Sequence, residues 1–187
     1  MATPYALKKL ERTAHHEAGH AVAACLFNIP ILTVTVVPGP PDSSGGRTLG
    51  GIDLGVRIPT WANPFQKAFD RRRGRQYIAQ NIQMTLAGML AETLYTGCWQ
   101  QATGQFSDED ENIAFHVGRP LHRTPKATRD WVNRLRFQML ETLRAPQVWA
   151  AVDTVAQELV RSKTLDCPGV HTLVSNARKR YIRGLKA

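Results

Sequence analysis

YALKKLERTAHHEAGHAVAACLF, residues Tyr5 to Phe27, is the segment from which the rest of this sequence can be understood. Its apolar side chains recur at intervals of three and four residues, which is the spacing of one face of an α-helix. Asn28 and Pro30 follow it, and these residue types commonly mark the end of a helix. We therefore expect residues 5–28 to form one long first helix.

This helix carries the sequence HEAGH at residues 16–20, which fits the pattern HExxH. Residues four apart lie one turn apart on the same face, and neutral imidazole is a good zinc ligand, so His16 and His20 can bind one zinc ion. Glu17 is then the candidate general base for a water that the metal activates. A histidine pair on a helix can also be accidental or structural. His15 points about 100° away from His16 and is expected at the surface or behind the ligands.

A third ligand is needed, because a catalytic zinc normally takes three protein ligands and keeps one position open. Leu26 occupies the place where a metzincin would require a histidine, which excludes that class. Asp42 and Asp53 are expected in loop or strand. The acidic run at residues 108–111 can alternatively complement the dipole of a helix start. The remaining candidates are Glu92, Asp108, Glu109, Asp110, Glu111, His116, His122 and His171.

The chain after the first helix predicts a small sheet followed by a helical part. Residues 31–37 are rich in β-branched side chains, and Arg47–Leu54 can form a second strand, which gives a small sheet over residues 31–54. A ladder of apolar residues from Tyr77 then predicts a second long helix ending before Gly97. Four further helices are expected to begin near Asp108, Pro125, Pro146 and Pro168.

These elements predict a mainly α (α+β) fold with a small β-sheet inserted after the first helix and a helical part over residues 75–187. The length of 187 residues, with 43% apolar and 21% charged residues, suits one globular domain over residues 1–187. No apolar run is long enough to span a membrane and no secretory h-region is visible, so a cytoplasmic location is expected. The three cysteines lack the paired spacing of a structural zinc site.

The net charge of +9 raises a different class of function, because basic surfaces attract nucleic acids. The basic residues concentrate at residues 71–75, 119–136 and 178–186. Alternating aromatic residues, which would indicate a base-stacking platform, are not seen in the sequence. A nucleic-acid-binding protein therefore remains an alternative, and solvated surface is the simpler explanation.

Several segments in order resemble the peptidase domain of the FtsH-type ATP-dependent zinc metalloproteases. They are TAHHEAGHAV, VTVVPG followed by GRTLGGI, LAGMLAETLYTG, TGQFSDEDENIA and VAQELVRSKTLD, and together they cover most of the chain. VAQELVRSKTLD is similar to the C-terminal helical segment of that family. The resemblance implies a helical, zincin-like metallopeptidase domain.

The resemblance also implies the roles of particular residues. Zinc would be bound by His16, His20 and Asp110, with Asp108 as a rival because extra residues follow Gly104. Glu92 matches a glutamate near the family's site and would orient a histidine ligand, or serve as an alternative ligand. An extended substrate would pair with an edge strand, whose residues here are Thr48, Leu49, Gly50, Gly51 and Ile52.

One departure from the family concerns ATP. The phosphate-binding pattern GxxxxGK[ST] does not occur in this sequence. We therefore expect a metalloendopeptidase that acts without its own ATPase on peptides or unfolded proteins, with a separate ATPase or adaptor as a possible partner. The alternative within the same scaffold is a catalytically silent module that binds peptides or regulates another protein. The oligomeric state is not predicted.

Overall fold

The computed structural model describes residues 4–40, 50–53, 59–98 and 108–184. Its described part is mainly helical with one small sheet, which confirms the coarse fold class. The helices are α1 (Pro4–Phe27), α2 (Arg71–Thr96), α3 (Asp108–Gly118), α4 (Pro125–Arg144), α5 (Pro146–Ser162) and α6 (Cys167–Gly184). The strands are β1 (Thr33–Thr35), β2 (Gly51–Asp53) and β3 (Thr164–Asp166), and short 3-10 turns cover Thr60–Ala62 and Arg119–Leu121.

The first helix is the centre of the molecule, and it packs mainly against α2 and α5. Its close approach to α2 depends on Gly19, because a Cβ atom there would lie 2.5 Å from the Ala87 carbonyl oxygen and 2.6 Å from the Ala91 Cβ. The facing sides of both helices are rich in small residues, which lets the backbones come together. The two helices that carry most of the candidate site are thereby held in a fixed relation.

Local sequence signals account for both ends of α2. The Asp70 side chain accepts hydrogen bonds from the Arg72 and Arg73 amides and so satisfies free N–H groups of the first turn. At the other end, Gly97 adopts φ 69°, and its amide donates to the Thr93 carbonyl. The predicted end of this helix before Gly97 is confirmed, and its start lies at Arg71, earlier than expected.

The sheet differs from the prediction in one respect. Its strand order is β2-β1-β3, and both pairings are antiparallel, with Val34 opposite Ile52 on one side and Leu165 on the other. The expectation that the sheet lies within residues 31–54 is therefore wrong, because β3 comes from a segment that resembled a C-terminal helix. Lys163, at φ 69°, ends α5 and lets the chain turn into this three-residue strand.

The core is one continuous cluster of apolar side chains from α1, α2, α4, α5, α6 and β1. Among its largest fully buried members are Ile82, Leu86, Leu90, Met139, Leu143 and Leu159. Within the described residues, no helix combines the length and the apolar character that crossing a bilayer requires. Three of the buried polar residues, His15, Glu17 and His20, belong to α1.

Candidate metal centre

Three donor atoms from two helices converge at one point. His16 and His20 lie one turn apart on α1, and Asp110 comes from the first turn of α3. The His16 Nε2 and His20 Nε2 atoms are 3.1 Å apart, and Asp110 Oδ2 lies 3.4 Å from the first and 3.6 Å from the second. In the part of the chain that the structure describes, this is the one group of three or more His, Cys, Asp or Glu residues placed to hold a metal ion.

The far side of the His16 ring is held by a carboxylate. Its Nδ1 lies 3.0 Å from Glu92 Oε2, and the other Glu92 oxygen accepts a hydrogen bond from the Arg12 Nε–H group. An ionised carboxylate only accepts hydrogen bonds, so Nδ1 is the protonated nitrogen of this ring. In the neutral ring, the lone pair of Nε2 consequently points at His20 and Asp110.

The His20 ring is held in the same way by the backbone. Its Nδ1–H group donates to the Met84 carbonyl oxygen at 2.8 Å, which leaves the Nε2 lone pair facing the same point as that of His16. The ring is buried and lies directly over Gly88, where any Cβ atom would collide with Nε2. The glycine therefore makes room for the histidine.

The donor set fits a tetrahedral metal. Bonds of about 2.0 to 2.1 Å at tetrahedral angles would separate two ligand atoms by roughly 3.3 Å. The three observed separations of 3.1, 3.4 and 3.6 Å lie close to this value. Asp110 Oδ2 is buried and faces the two imidazole Nε2 atoms. With both rings neutral, two lone pairs and a carboxylate oxygen would face one another and repel, so this arrangement needs a positive charge, either a metal ion or a proton on His16.

The pKa values of the donors reflect the same need for positive charge. Burial disfavours charge on the His16 imidazole, but hydrogen bonds to the Asp110 and Glu92 carboxylates prevail and raise its pKa to about 10. Burial and the neighbouring His16 charge lower the pKa of His20 to about 4. Although burial works against ionisation of Asp110, the hydrogen bond from His16 keeps the pKa of this carboxyl low. The cluster thus favours one cation shared by its three donors.

Glu17 lies beside the three donors and is not one of them. Its side chain is buried, and burial raises its pKa to about 7 against the lowering effect of His16. It faces the start of β2, since a Cβ atom on Gly50 would lie 2.8 Å from Glu17 Oε1 and 2.8 Å from the Thr35 carbonyl oxygen. The carboxylate is therefore placed between the metal-binding face of α1 and an edge strand.

His15 lies neither at the surface nor behind the ligands, which are the two places expected for it. Its side chain is buried, with the ring stacked on that of Tyr95 at a centroid distance of 3.7 Å. Nδ1 donates to the Glu11 carbonyl oxygen at 2.8 Å. The His15 side chain points about 100° away from that of His16 around α1. This direction faces α5 rather than solvent, because α1 is covered by α2 on one side and by α5 on the other. His15 is a packing residue of the α1–α5 contact.

The other predicted candidates are placed elsewhere. Glu111 forms an ion pair with Arg136, and the His122 ring packs on that of Trp131. Three further candidates are exposed: Glu109, His116 and His171. Asp53 is an exposed residue of β2. Of the proposed substrate strand, Gly50, Gly51 and Ile52 lie in or next to β2, which is an edge of the described sheet. Thr48, Leu49, Asp42 and the Asp108 side chain lie outside the described residues.

Sequence reasoning did not identify three features that hold the histidines. They are Arg12 behind Glu92, the Met84 carbonyl behind His20, and Gly88 beneath the His20 ring. The position of Arg12 one turn before His16 was a usable signal, since residues four apart share a helix face. Comparison of this sequence with protein-family models gives no match, and comparison with curated proteins gives none. Support for a function therefore comes from the geometry of the site.

Proposed function

We propose that this protein is a zinc-dependent metalloendopeptidase of the FtsH peptidase type, with His16, His20 and Asp110 as ligands and Glu17 as general base. The observation that carries the proposal is the convergence of three donor atoms within 3.6 Å of one another beside a buried carboxylate. Two imidazole nitrogens and one carboxylate oxygen are a donor set typical of catalytic zinc, which keeps a fourth position open. Calcium and magnesium prefer sites made of oxygen atoms.

The chemistry divides between the ion and Glu17. Bound zinc supplies Lewis acidity, which polarises a peptide carbonyl and makes a nearby water more acidic. Glu17 takes one proton from the attacking water while the water oxygen bonds to the carbonyl carbon. The same carboxyl then gives that proton to the amine nitrogen as the C–N bond breaks. A pKa of about 7 suits a group that must both accept and donate a proton near neutral pH.

The neighbouring edge strand supports the choice of a peptide as substrate. β2 pairs with β1 on one side only within the described sheet, so its other side can accept an added strand. Gly50 lies against Glu17, and a Cβ atom at Gly51 would meet nothing within 4 Å. A peptide paired with this strand would run past the general base and the three donors. This mode requires an extended chain, which favours flexible or unfolded proteins as substrates.

The proposal extends to partners only in general terms. Folded substrates would need a separate ATPase or an adaptor, since pairing with an edge strand requires an extended segment. Glu17 argues against the alternative of a silent peptide-binding module. A metal held only for stability requires the three donors but does not require a buried carboxylate beside them. Burying that carboxylate costs stability, as its raised pKa of about 7 indicates, and catalysis is a function that compensates for the cost.

Substitution of Glu17 by glutamine tests the proposal. The purified protein, loaded with zinc, is incubated with an unfolded protein, and new amino termini are counted. We expect Glu17→Gln to retain metal and to lose roughly 100-fold or more of the cleavage rate. Glu109→Gln, which removes the same charge from an exposed position on α3, serves as the matched control.

Three outcomes are informative. Equal cleavage by the parent and by Glu17→Gln would remove Glu17 from the mechanism. Zinc binding without cleavage by any variant would favour the silent module. Metal analysis that finds a different ion, with activity restored by that ion and not by zinc, would replace zinc in the proposal.

A further inference from the structure

A second group of charged side chains lies at the start of α2. Arg71, Arg72, Arg73 and Arg75 occupy its first turn and a half, and Arg119 and Arg134 approach from the segment that includes α4. We call these six residues the arginine cluster. Arg71 and Met84 are thirteen positions apart, so the cluster begins about 20 Å along α2 from the metal centre. It is therefore separate from the proposed catalytic site.

Two tryptophans hold arginines of the cluster in place. The guanidinium carbon of Arg73 lies 4.9 Å from the centre of the Trp61 ring, and that of Arg75 lies 4.9 Å from the centre of the Trp131 ring. Cation–π contacts at this distance are attractive and orient the planar group. The sequence does not show this pairing, because Trp61 and Trp131 are distant from the arginine run along the chain. The stacked guanidinium groups lose less freedom when they bind an anion.

His122 marks the point where three of the arginines meet. Its ring lies 4.9 Å from that of Trp131, on which Arg75 also packs, and the Arg119 guanidinium donates to the His122 carbonyl oxygen at 2.6 Å. Burial and the positive charges of Arg75, Arg134 and Arg119 lower the pKa of His122. The His122 Nε2 atom is buried and has no hydrogen-bond partner within the described residues. A polar atom and three cations thus surround one small region.

Among the described residues, ion pairs do not neutralise the cluster. None of the six arginines forms an ion pair with any residue that the structure describes. Asp70 caps α2 through backbone amides, Asp130 pairs with Lys126, and Glu111 pairs with Arg136. These acids therefore have other partners, although the charge of Arg134 also helps to lower the pKa of Asp130. Six like charges held together repel each other, and an anionic partner would relieve that repulsion.

We propose that the arginine cluster binds the phosphates of a single-stranded nucleic acid. Guanidinium groups match phosphate oxygens with paired hydrogen bonds, and the cluster consists of arginines alone. Phe65, whose side chain is 80% exposed, lies in the loop that leads from Trp61 to the start of α2. An exposed aromatic ring can stack on an unpaired base. Phe137, 67% exposed and three residues after Arg134 on α4, is a second such ring. An acidic peptide offers no such stacking.

Binding of a fluorescent 20-nucleotide oligothymidylate at low salt tests this proposal. The test variant is Arg73→Gln/Arg75→Gln/Arg134→Gln, and the matched control is Arg178→Gln/Arg180→Gln/Arg183→Gln, which removes equal charge from α6. We expect the test variant to bind at least 10-fold more weakly and the control to change less than 3-fold. The slope of log K against log salt should also fall by roughly 2, since each lost phosphate contact lowers it by about 0.7.

Arg134→Glu provides a second variant in case the triple substitution disturbs folding. Arg134 is exposed and forms no hydrogen bond or ion pair within the described residues, and it acts on Asp130 only through its charge, so reversing that charge should weaken binding while lowering thermal stability only slightly. If the α6 control lost oligonucleotide binding equally, net charge alone would explain the loss, and the proposal would be overturned. It is also overturned if no salt-dependent binding is found, if polyglutamate competes as well as the unlabelled oligonucleotide, or if anionic phosphatidylserine vesicles bind and the oligonucleotide does not.

Discussion

The His20 ring lies over the backbone of Gly88, in the space that a side chain at position 88 would fill. This relationship joins the two long helices at the candidate metal centre, because His20 belongs to α1 and Gly88 to α2. The Met84 carbonyl oxygen, one turn before Gly88, accepts the hydrogen bond from the Nδ1–H group of the same ring. Helix α2 thus provides both the space and the orientation for a proposed ligand on α1.

Gly88→Ala is expected to displace His20 and weaken metal binding. In a helix, glycine to alanine alone stabilises by roughly 0.5 to 1 kcal/mol, so a loss of stability would report the collision. We expect a net destabilisation of about 1 to 3 kcal/mol, as in overpacked cores. Zinc titration and urea unfolding measure the two effects. Gly51→Ala is the control, since a Cβ atom there meets nothing within 4 Å. Unchanged zinc affinity in Gly88→Ala would remove His20 from the proposed ligand set.

Asp110→Asn is expected to reduce zinc affinity by roughly 100-fold or more, because it replaces a charged ligand oxygen with a neutral amide. Glu109→Gln removes a neighbouring charge on the same helix from an exposed position and should leave the affinity nearly unchanged. Competition with a chromogenic chelator measures both. If Asp108→Asn lost the metal and Asp110→Asn kept it, the third ligand would be Asp108.

The helices could be predicted from the sequence because their signals are local. The apolar periodicity of α1 and α2, the glycine at position 97 and the prolines at the first positions of α4 and α5 each act within a few residues. Strand β3 could not be predicted in this way. It has three residues and is stabilised by pairing with β1, more than a hundred positions earlier in the chain.

In the candidate site, too, the features set by local sequence could be predicted and those set by distant contacts could not. HExxH places His16, Glu17 and His20 on one helix, and the residues alone identify them. Which acid of the run at 108–111 meets them depends on how α3 docks, so the residues alone left eight candidates, and the family resemblance selected Asp110. The supports behind the histidines are tertiary contacts. The Met84 carbonyl has no sequence signature, because every residue has a carbonyl group.

The metal-free protein is expected to lose stability as the pH rises above 7. Folding raises the pKa of His16 from 6.5 to about 10. The contribution of this group to the free energy of unfolding is therefore complete below pH 6.5 and is lost as the pH rises through about 10. The loss can reach about 1.4 kcal/mol per pH unit for one proton. Urea unfolding in chelator at pH 7 and pH 9 measures it. His16→Ala should show a shallower dependence on pH, and an equal slope in both proteins would contradict the assignment.

Zinc binding is expected to release one proton from the protein ligands at pH 8, because the zinc ligand must be a neutral imidazole, and ionisation of a metal-bound water would add to the count. Most of this proton comes from His16, whose pKa is raised to about 10 in the metal-free protein. Calorimetry in buffers of different ionisation enthalpy counts the released protons. The count should fall by about one as the pH approaches and passes 10. A count near zero at pH 8 would show that His16 is already neutral there.

The chain from Arg12 through Glu92 to His16 gives the last prediction. Glu92→Gln keeps the size of the side chain but loses the charge that orients and polarises His16, and we expect zinc affinity to fall by roughly 10- to 100-fold. Arg12→Met should cause a smaller loss, and Lys8→Met, an exposed cation one turn earlier on α1, should cause almost none. Because Arg12 acts through Glu92, the double variant should bind zinc no more weakly than Glu92→Gln alone. Independent, additive losses would instead show that Arg12 influences the metal directly through its charge.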